Sequence, residues 1–316
     1  MLNVFKALAD ETRLRLVAVL SQGEFTVQEL TSVLKMGQSR VSRHLKILSE
    51  AGIISVKRQG TWAYYRLQGS SEFFLQLLPL LPPSFAALDH FAEDLAQVSA
   101  ILDRRRRRSL EFFDEHARQW DRFTRNLLPV PDYLEIVLGE IPQCDLLLEV
   151  GVGTGNVLSS LRAKASRIIG VDHSVAMLDQ ARDRIRREGL ADIEFRLGEM
   201  SHLPIGDGEV DCLLLNMVLH HAGEPERIFS EVVRVLSPGG VLVIADLQRH
   251  EQDWVRDRLA DQWLGFESEE LSRWLQAAGL VWQRYIPVAG EAKQQAVFIL
   301  SAVPQPVTME SAVSGG

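Results

Sequence analysis

The stretch DLLLEVGVGTGNVLSSL, residues 145–161, constrains the fold more than any other part of the chain. An apolar run of strand length contains Glu149 near its end, and glycines at 151, 153 and 155 then open a helix. A strand turning at once into a helix belongs to a parallel sheet covered by helices. Glycine lets the backbone pass close to a ligand, and the N-terminus of the following helix favours a nearby carboxylate. Nucleotide enzymes share this logic. The nicotinamide fingerprint G-x-G-x-x-G, however, needs a small residue at 156, where Asn156 stands.

The order E-x-G-x-G-x-G instead resembles motif I of the class I methyltransferases, and further pieces follow in that family's order over residues 145–246. The resemblance implies a site for S-adenosylmethionine or S-adenosylhomocysteine. In it Glu149, Gly151, Gly153 and Gly155 form the cradle, and Asp172, at the end of RIIGV, accepts both ribose hydroxyls. His173 follows, and Met177 in HSVAML stacks on adenine. In GEMSHLP, Glu199 faces the adenine amino group and the Met200 backbone N–H faces a ring nitrogen; the family more often has Asp where Glu199 stands. A fourth strand, VDCLLLN, ends at Asn216, and RVLSPGGVLVIADL turns through Pro-Gly-Gly into a fifth.

The net charge of −8 hides a split. Residues 1–108 hold 15 Lys+Arg against 10 Asp+Glu, whereas residues 109–316 hold 19 against 32. The first part therefore suits a polyanion and the second does not. Its patterning agrees. Apolar positions at helical spacing run from Asp10 to Leu20 and again through TVQELTSVLKM; a turn at Gly37 leads to SRVSRHLKILSEAG. There Val41, Leu45 and Leu48 form a buried stripe and leave Ser39, Arg40, Ser42, Arg43 and Lys46 outward. Two helices about a short glycine turn, the second basic at its start, make a helix-turn-helix whose second helix reads the major groove. IISVKRQGTWAYYRL adds two strands about Gln59-Gly60-Thr61, a wing with Lys57 and Arg58 available to phosphates.

Across residues 1–68 these segments resemble the ArsR family of bacterial repressors. The resemblance implies a homodimer on a pseudo-palindromic double-stranded DNA operator. Gln38, Ser39, Arg40, Ser42, Arg43 and His44 take the recognition-helix positions, although His44 can equally cap or pack against its neighbour. Metal-sensing relatives place cysteines where this chain reads EFTVQEL, so the soft-metal ligand set is missing. Asp89, His90, Glu93 and Asp94 are wrongly spaced for the family's other metal site and read as an exposed acidic helix face. No metal site is expected.

The chain thus divides into a winged helix-turn-helix domain (1–68), mainly α with a β-wing, and a helical linker, dimerisation and lid segment (69–131). An α/β Rossmann-like methyltransferase domain (132–303), with a parallel sheet and one antiparallel C-terminal strand, and a loose tail (304–316) follow. The run Arg104–Arg108 projects all round a helix, which suits a solvated or dimer-flanking linker as well as a phosphate contact. EFFDEHARQWDRF resembles the segment that leads into many methyltransferase sheets, where an aromatic closes over the cofactor; Trp120 and Phe123 are lid candidates, or else helix core. On the acceptor side His220, His250 and Asp246 are catalytic candidates, with His221 read as a loop residue.

Arsenite methylation needs several converging thiolates, which Cys144 and Cys212 in strand-adjacent positions do not supply. No secretory signal or run of about 18 apolar residues stands out, and a cytoplasmic protein without membrane partners is expected. The whole chain resembles fusions of an ArsR-type domain to a methyltransferase-like domain, among them repressors that respond to S-adenosylhomocysteine. That implies a regulator of methionine-cycle genes that senses S-adenosylhomocysteine or S-adenosylmethionine. The alternative is an active small-molecule methyltransferase with a fused autoregulatory DNA-binding domain.

Overall fold

The computed structural model describes residues 1–59, 62–67, 70–127, 130–291 and 294–305. Two compact units emerge, Met1–Arg108 and Ser109–Gly316. The segment 69–131, expected as a separate linker, does not form a body of its own: residues up to 108 join the first unit and the rest join the second. The reason is packing, since Phe74, Phe85, Val98 and Ile101 are buried in the first unit's core.

That first unit begins with α1 (Leu2–Leu8) and α2 (Glu11–Leu20), the latter capped by Asp10, which accepts from the Arg13 backbone N–H at 3.0 Å. A two-residue strand β1 (Phe25–Thr26) runs into α3 (Val27–Leu34) through a capping box between Thr26 and Glu29. Lys35 turns the chain in the left-handed region at φ 53°, and α4 (Gln38–Glu50) follows. It buries Val41, Leu45 and Leu48, the stripe foreseen from their spacing. Strands β2 (Ser55–Gln59) and β3 (Trp62–Arg66) pair antiparallel, and β1 adds to β3 to give a three-stranded sheet where the sequence suggested two strands. The expected turn residues Gly60 and Thr61 lie outside the described residues. Helices α5 (Glu72–Leu77), α6 (Pro82–Phe85) and α7 (Phe91–His116) follow.

Of the acidic face expected at Asp89–Asp94, Asp89, His90 and Glu93 are exposed, but Asp94 needs correcting. Asp94 is 3% exposed and takes both arms of Arg15, at 2.7 Å each. A bidentate guanidinium–carboxylate pair removed from water is held by geometry as well as charge. Within the Arg104–Arg108 run, Arg105 pairs with Glu29 at 2.6 Å and lies over the Phe25 ring, while its neighbours in the run are exposed.

The second unit opens with α8 (Trp120–Leu127) and α9 (Leu134–Glu140). Strand β4 (Cys144–Val150), α10 (Leu158–Leu161), β5 (Ala165–Asp172), α11 (Val175–Glu188) and β6 (Ile193–Leu197) come next. They are followed by β7 (Val210–Asn216), α12 (Pro225–Val235), β8 (Leu236–Leu247), α13 (Trp254–Arg258), α14 (Ser268–Ala277), β9 (Leu280–Val288) and β10 (Val297–Pro304). The seven strands lie in the order β6-β5-β4-β7-β8-β10-β9, with β10 antiparallel to both neighbours. Leu146, Leu148 and Val150 of β4 enter one core and Leu147 the opposite one, as a strand buried on both faces requires. Strand order reverses between β4 and β7, so a crevice opens at their C-terminal ends, beside Glu149 and Asn216.

Replacing Asp94 with Ala strands the Arg15 guanidinium and should lower the opening free energy of α2 and the first turns of α7 by about 3 kcal/mol. Peptide-resolved hydrogen exchange reads this directly, and unchanged protection would show the pair to be dispensable.

Candidate functional site

In the first unit the helix-turn-helix presents Gln38, Ser39, Arg40 and Arg43 to solvent, while Ser42 and His44 are half-buried. His44 lies 3.6 Å from Asp10. Burial draws its pKa down despite that carboxylate, which fits packing against α2 more than reaching for a base. Arg58 is exposed, but Lys57 is only 8% exposed, so of the two wing cations Arg58 presents the charge. Alternation explains it: residues 57 and 58 face opposite sides of the sheet.

The second unit holds a cavity of about 270 Å³ at the β4/β7 crevice. Glu149, the turn Gly151–Thr154, Asn156, Asn216, Tyr133 and Trp120 line it, together with His220, His221 and Asp261. The three motif glycines have φ between 52° and 72°. Their reasons differ. A Cβ on Gly151 would lie 2.1 Å from Val218 Cγ2 and one on Gly155 2.7 Å from Leu158 Cδ1, so internal packing demands both. A Cβ on Gly153 would meet only the Gly151 carbonyl at 4.0 Å; its open side is the space a ligand would fill. The Gly153 N–H donates to Asp172 Oδ2 at 2.8 Å and the Ser174 N–H to Oδ1 at 2.9 Å. Asp172 is thereby fixed at the mouth of β5, its pKa raised by burial even though His173 and these N–H groups pull the other way.

Glu149 is 2% exposed and its Oε2 has no hydrogen-bond partner among the described residues. Burial, with Asp172 nearby, pushes its pKa up to about 8. An acid held so wants a cation or a donor. Asn216 accepts from the Tyr133 hydroxyl at 2.9 Å. Met177 is buried, but against Phe113 and Ala117; Phe113 also meets the edges of His173 and His221 at 5.6 and 4.9 Å. Phe113 therefore covers Met177, Trp120 lines the cavity, and Phe123 packs towards Val255, Leu259 and Leu264. The cover is tied down: Asp114 accepts from Ser174 Oγ, and Asp121 accepts from Thr154 Oγ1 and pairs with Arg184. Glu199 is exposed and Met200 half-buried, and neither lines the cavity.

At the other end, the Asp246 carboxylate accepts from the backbone N–H of Leu219 and Leu247 and sits 2.7 Å from His220 Nδ1. Burial alone would lower the His220 pKa, but Asp246 and Asp261 outweigh it and carry it up to about 9. Burial next to that cationic ring drives His221 well down, and burial lifts Asp261 up to about 7. His250 does not line the cavity; its Nδ1 accepts from the Gln252 N–H, and burial beside His220 lowers its pKa to about 4. Of the expected catalytic trio, only His220 reaches the space. Asp246 positions it from behind. His221 and Asp261, not expected there, complete the wall. Burial raises the pKa of both thiols, that of Cys144 to about 11, so neither is a ready nucleophile.

Residues 10–56 match the family described as bacterial regulatory protein, arsR family, and residues 148–244 match the methyltransferase domain family. An ArsR-family helix-turn-helix domain is here fused to a methyltransferase domain. The arsenic resistance transcriptional regulator ArsR1 of Pseudomonas putida is 51% identical over 65 residues, 20% of this chain and 51% of that protein. The arsenite methyltransferase of Halobacterium salinarum is 40% identical over 80 residues, 25% of this chain and 20% of that one. The chain thus spans only part of each relative. A methyltransferase in complex with the Haloferax volcanii Trm112 methyltransferase activator shares the fold, with a TM-score of 0.53 at 19% identity over 61% of this chain and 97% of that one. No helix among the described residues is long and apolar enough to cross a membrane.

The glycine geometry separates two variants. Gly151→Ala combines a left-handed residue with a clash against Val218 and should destabilise the second unit by about 3 kcal/mol. Gly153→Ala carries only the left-handed penalty, about 1–2 kcal/mol. Denaturant unfolding of the two proteins checks this order, and equal losses would contradict it.

Proposed function

We propose that the protein is a DNA-binding transcriptional regulator, a repressor acting as a homodimer, whose second unit binds S-adenosylmethionine or S-adenosylhomocysteine and so sets its affinity for an operator. The observation that carries this is the covered cradle. Residues fit for an adenosyl amino acid stand there: Asp172 for the ribose, Gly153 for close backbone approach and the unpartnered Glu149 for the ammonium group. Yet Phe113 and Asp114 already hold Met177, His173 and Ser174. A ligand reaching the Met177 side must displace that cover, which stands on α7, a helix running from Phe91 to His116. Binding therefore favours a second arrangement of this segment, and differential affinity for the two arrangements is what a sensor needs. The genes it would control are those that make or recycle the sulfonium compound, and a cytoplasmic setting follows from the DNA target.

Titration calorimetry with both adenosyl compounds, then operator binding with each at fixed salt, tests the reading. We expect Asp172→Asn to lose binding by at least tenfold. At pH 7 the Glu149 carboxyl, with a pKa of about 8, is mainly protonated; an arriving ammonium lowers that pKa and ionises the acid. Binding should therefore release up to about one proton, seen as a buffer-dependent heat that Glu149→Gln removes. Identical operator affinity with and without ligand would end the sensing account.

On the DNA side, Arg40→Ala and Arg43→Ala should each weaken binding about tenfold and make the salt slope shallower by about one, the share of a single neutralised phosphate. Fluorescence anisotropy across a salt series gives both numbers. Unchanged slopes would place these arginines away from the phosphates.

A second reading, an active methyltransferase of a small molecule, is favoured by His220 alone, a ring backed by Asp246 and facing the cavity. The adenosyl compound would supply a sulfonium methyl group. His220, cationic in the free protein, would donate a hydrogen bond from Nε2 that orients the acceptor, and Trp120 would wall the space against water. Turnover on an identified acceptor that falls in His220→Gln, with cofactor affinity retained, would support this reading over the first.

A further inference from the structure

We propose that His220, His221 and Asp261 form a binding site for a divalent first-row transition metal ion on the wall of the cavity. One donor atom from each lies within 4.8 Å of the other two, and all three residues are buried. His220 Nε2 is 3.9 Å from Asp261 Oδ1 and His221 Nδ1 is 3.6 Å from it. These separations are too long for hydrogen bonds. Around an ion with bonds of about 2.0–2.2 Å, neighbouring donors stand roughly 3.0–3.5 Å apart, so the groups need only draw in by a few tenths of an ångström to about one.

The surroundings prepare each donor, and the arriving ion displaces to solvent the Nε2 proton that the cationic His220 carries in the free protein. Asp246, itself wholly buried, takes the His220 Nδ1 side at 2.7 Å and turns Nε2 towards Asp261. A carboxylate behind an imidazole is the usual outer partner of a metal-bound histidine. His221 hydrogen-bonds to the Ala260 backbone carbonyl and keeps Nδ1 without a partner. Asp261 is 3% exposed and neither of its oxygens finds a hydrogen bond among the described residues. A buried carboxylate with both oxygens unsatisfied is costly in a folded protein unless something positive meets it.

The two loops that bring the donors together are also fixed. The N–H groups of Gln262 and Trp263 donate to the His220 carbonyl at 2.9 and 3.0 Å, and Gln262 Nε2 donates to the His221 carbonyl at 3.0 Å. Ala260 takes a left-handed φ of 57° immediately before Asp261. Two imidazoles and one carboxylate suit zinc, cobalt, iron or manganese rather than calcium or magnesium, which prefer all-oxygen shells. All three residues line the cavity, so the remaining coordination positions face a bound molecule. A carboxylate, hydroxyl or other oxygen donor on that molecule would complete the shell.

Full-length protein stripped with a chelator is titrated with Co(II), followed by visible absorption, and then with Zn(II) as competitor. One equivalent should give d–d bands that Zn(II) abolishes. Asp261→Asn and His221→Ala should each weaken Co(II) at least tenfold and alter the bands, with circular dichroism unchanged. Asp246→Asn, which removes no donor, should weaken binding by about tenfold through misorientation of His220; this keeps the test open if a donor variant fails to fold. No saturable band in the wild-type protein overturns the proposal, as does an identical spectrum and affinity in Asp261→Asn. Neither result depends on the adenosyl site, whose own test is Asp172→Asn.

Discussion

The carboxylate of Asp172 is engaged on both sides with its own backbone, by the Gly153 N–H on one oxygen and the Ser174 N–H on the other. Charge-assisted bonds of this kind contribute about 1.5–3 kcal/mol each, and they join the end of β5 to the glycine turn after β4 and to the start of α11. The turn cannot relax away from this anchor, because Gly151 is pressed against Val218 and Gly155 against Leu158 and Ala181. One acidic residue therefore fixes the shape of the crevice at the point where the strand order reverses. Each carboxylate oxygen still has a second lone pair for a ligand hydroxyl.

How much of this was legible in the sequence depends on the range of the signal. Strand-turn-helix at 145–161 and the buried stripe Val41, Leu45 and Leu48 are local patterns, and the fold follows them. Pro238, Gly239 and Gly240, expected as a turn before the fifth strand, lie within β8 itself, where its pairing with β7 shifts register. Phe113, Asp114 and Asp121 are another matter. They sit in an ordinary amphipathic stretch, and their importance arises from partners 60 residues away for Asp114 and 33 and 63 for Asp121. Trp120 and Phe123 stand out in the sequence as lid candidates because they are large and aromatic; Phe113 is the one that covers Met177, because α7 presents it there. Lys57 and Asp94 mislead in the same manner. A charged residue in a polar stretch reads as solvated, and only the tertiary structure shows that it is packed.

The acceptor end shows a related limit. In MVLHH the sequence singles out His220 as a catalytic candidate and leaves His221 as a polar loop residue, its ordinary reading in isolation. What changes it is Asp261, brought against the pair by hydrogen bonds from Gln262 and Trp263 to the His220 carbonyl. No spacing rule links positions 220 and 261, since the intervening α12 and β8 belong to the sheet and its cover. Asp246 could be singled out because it ends β8 beside β7, where strand-end carboxylates commonly face ligands. Its actual task is to hold Leu219, Leu247 and His220 from behind.

These two ends share one cavity but make different electrostatic demands. Near the glycine turn, Glu149 and Asp172 are both buried acids whose pKa values are raised, and a positively charged ligand group is favoured there. Near His220 the carboxylates of Asp246 and Asp261 exceed what one cationic ring can balance, so positive charge is favoured there too. On the proposed reading, an amino acid with a sulfonium centre would bring positive charge to the first end. Removing its methyl group would take away the sulfonium charge while leaving the ammonium for Glu149, so the two adenosyl compounds differ most at the sulfur. The cover formed by Phe113 lies between the ends, touching His173 on one side and His221 on the other.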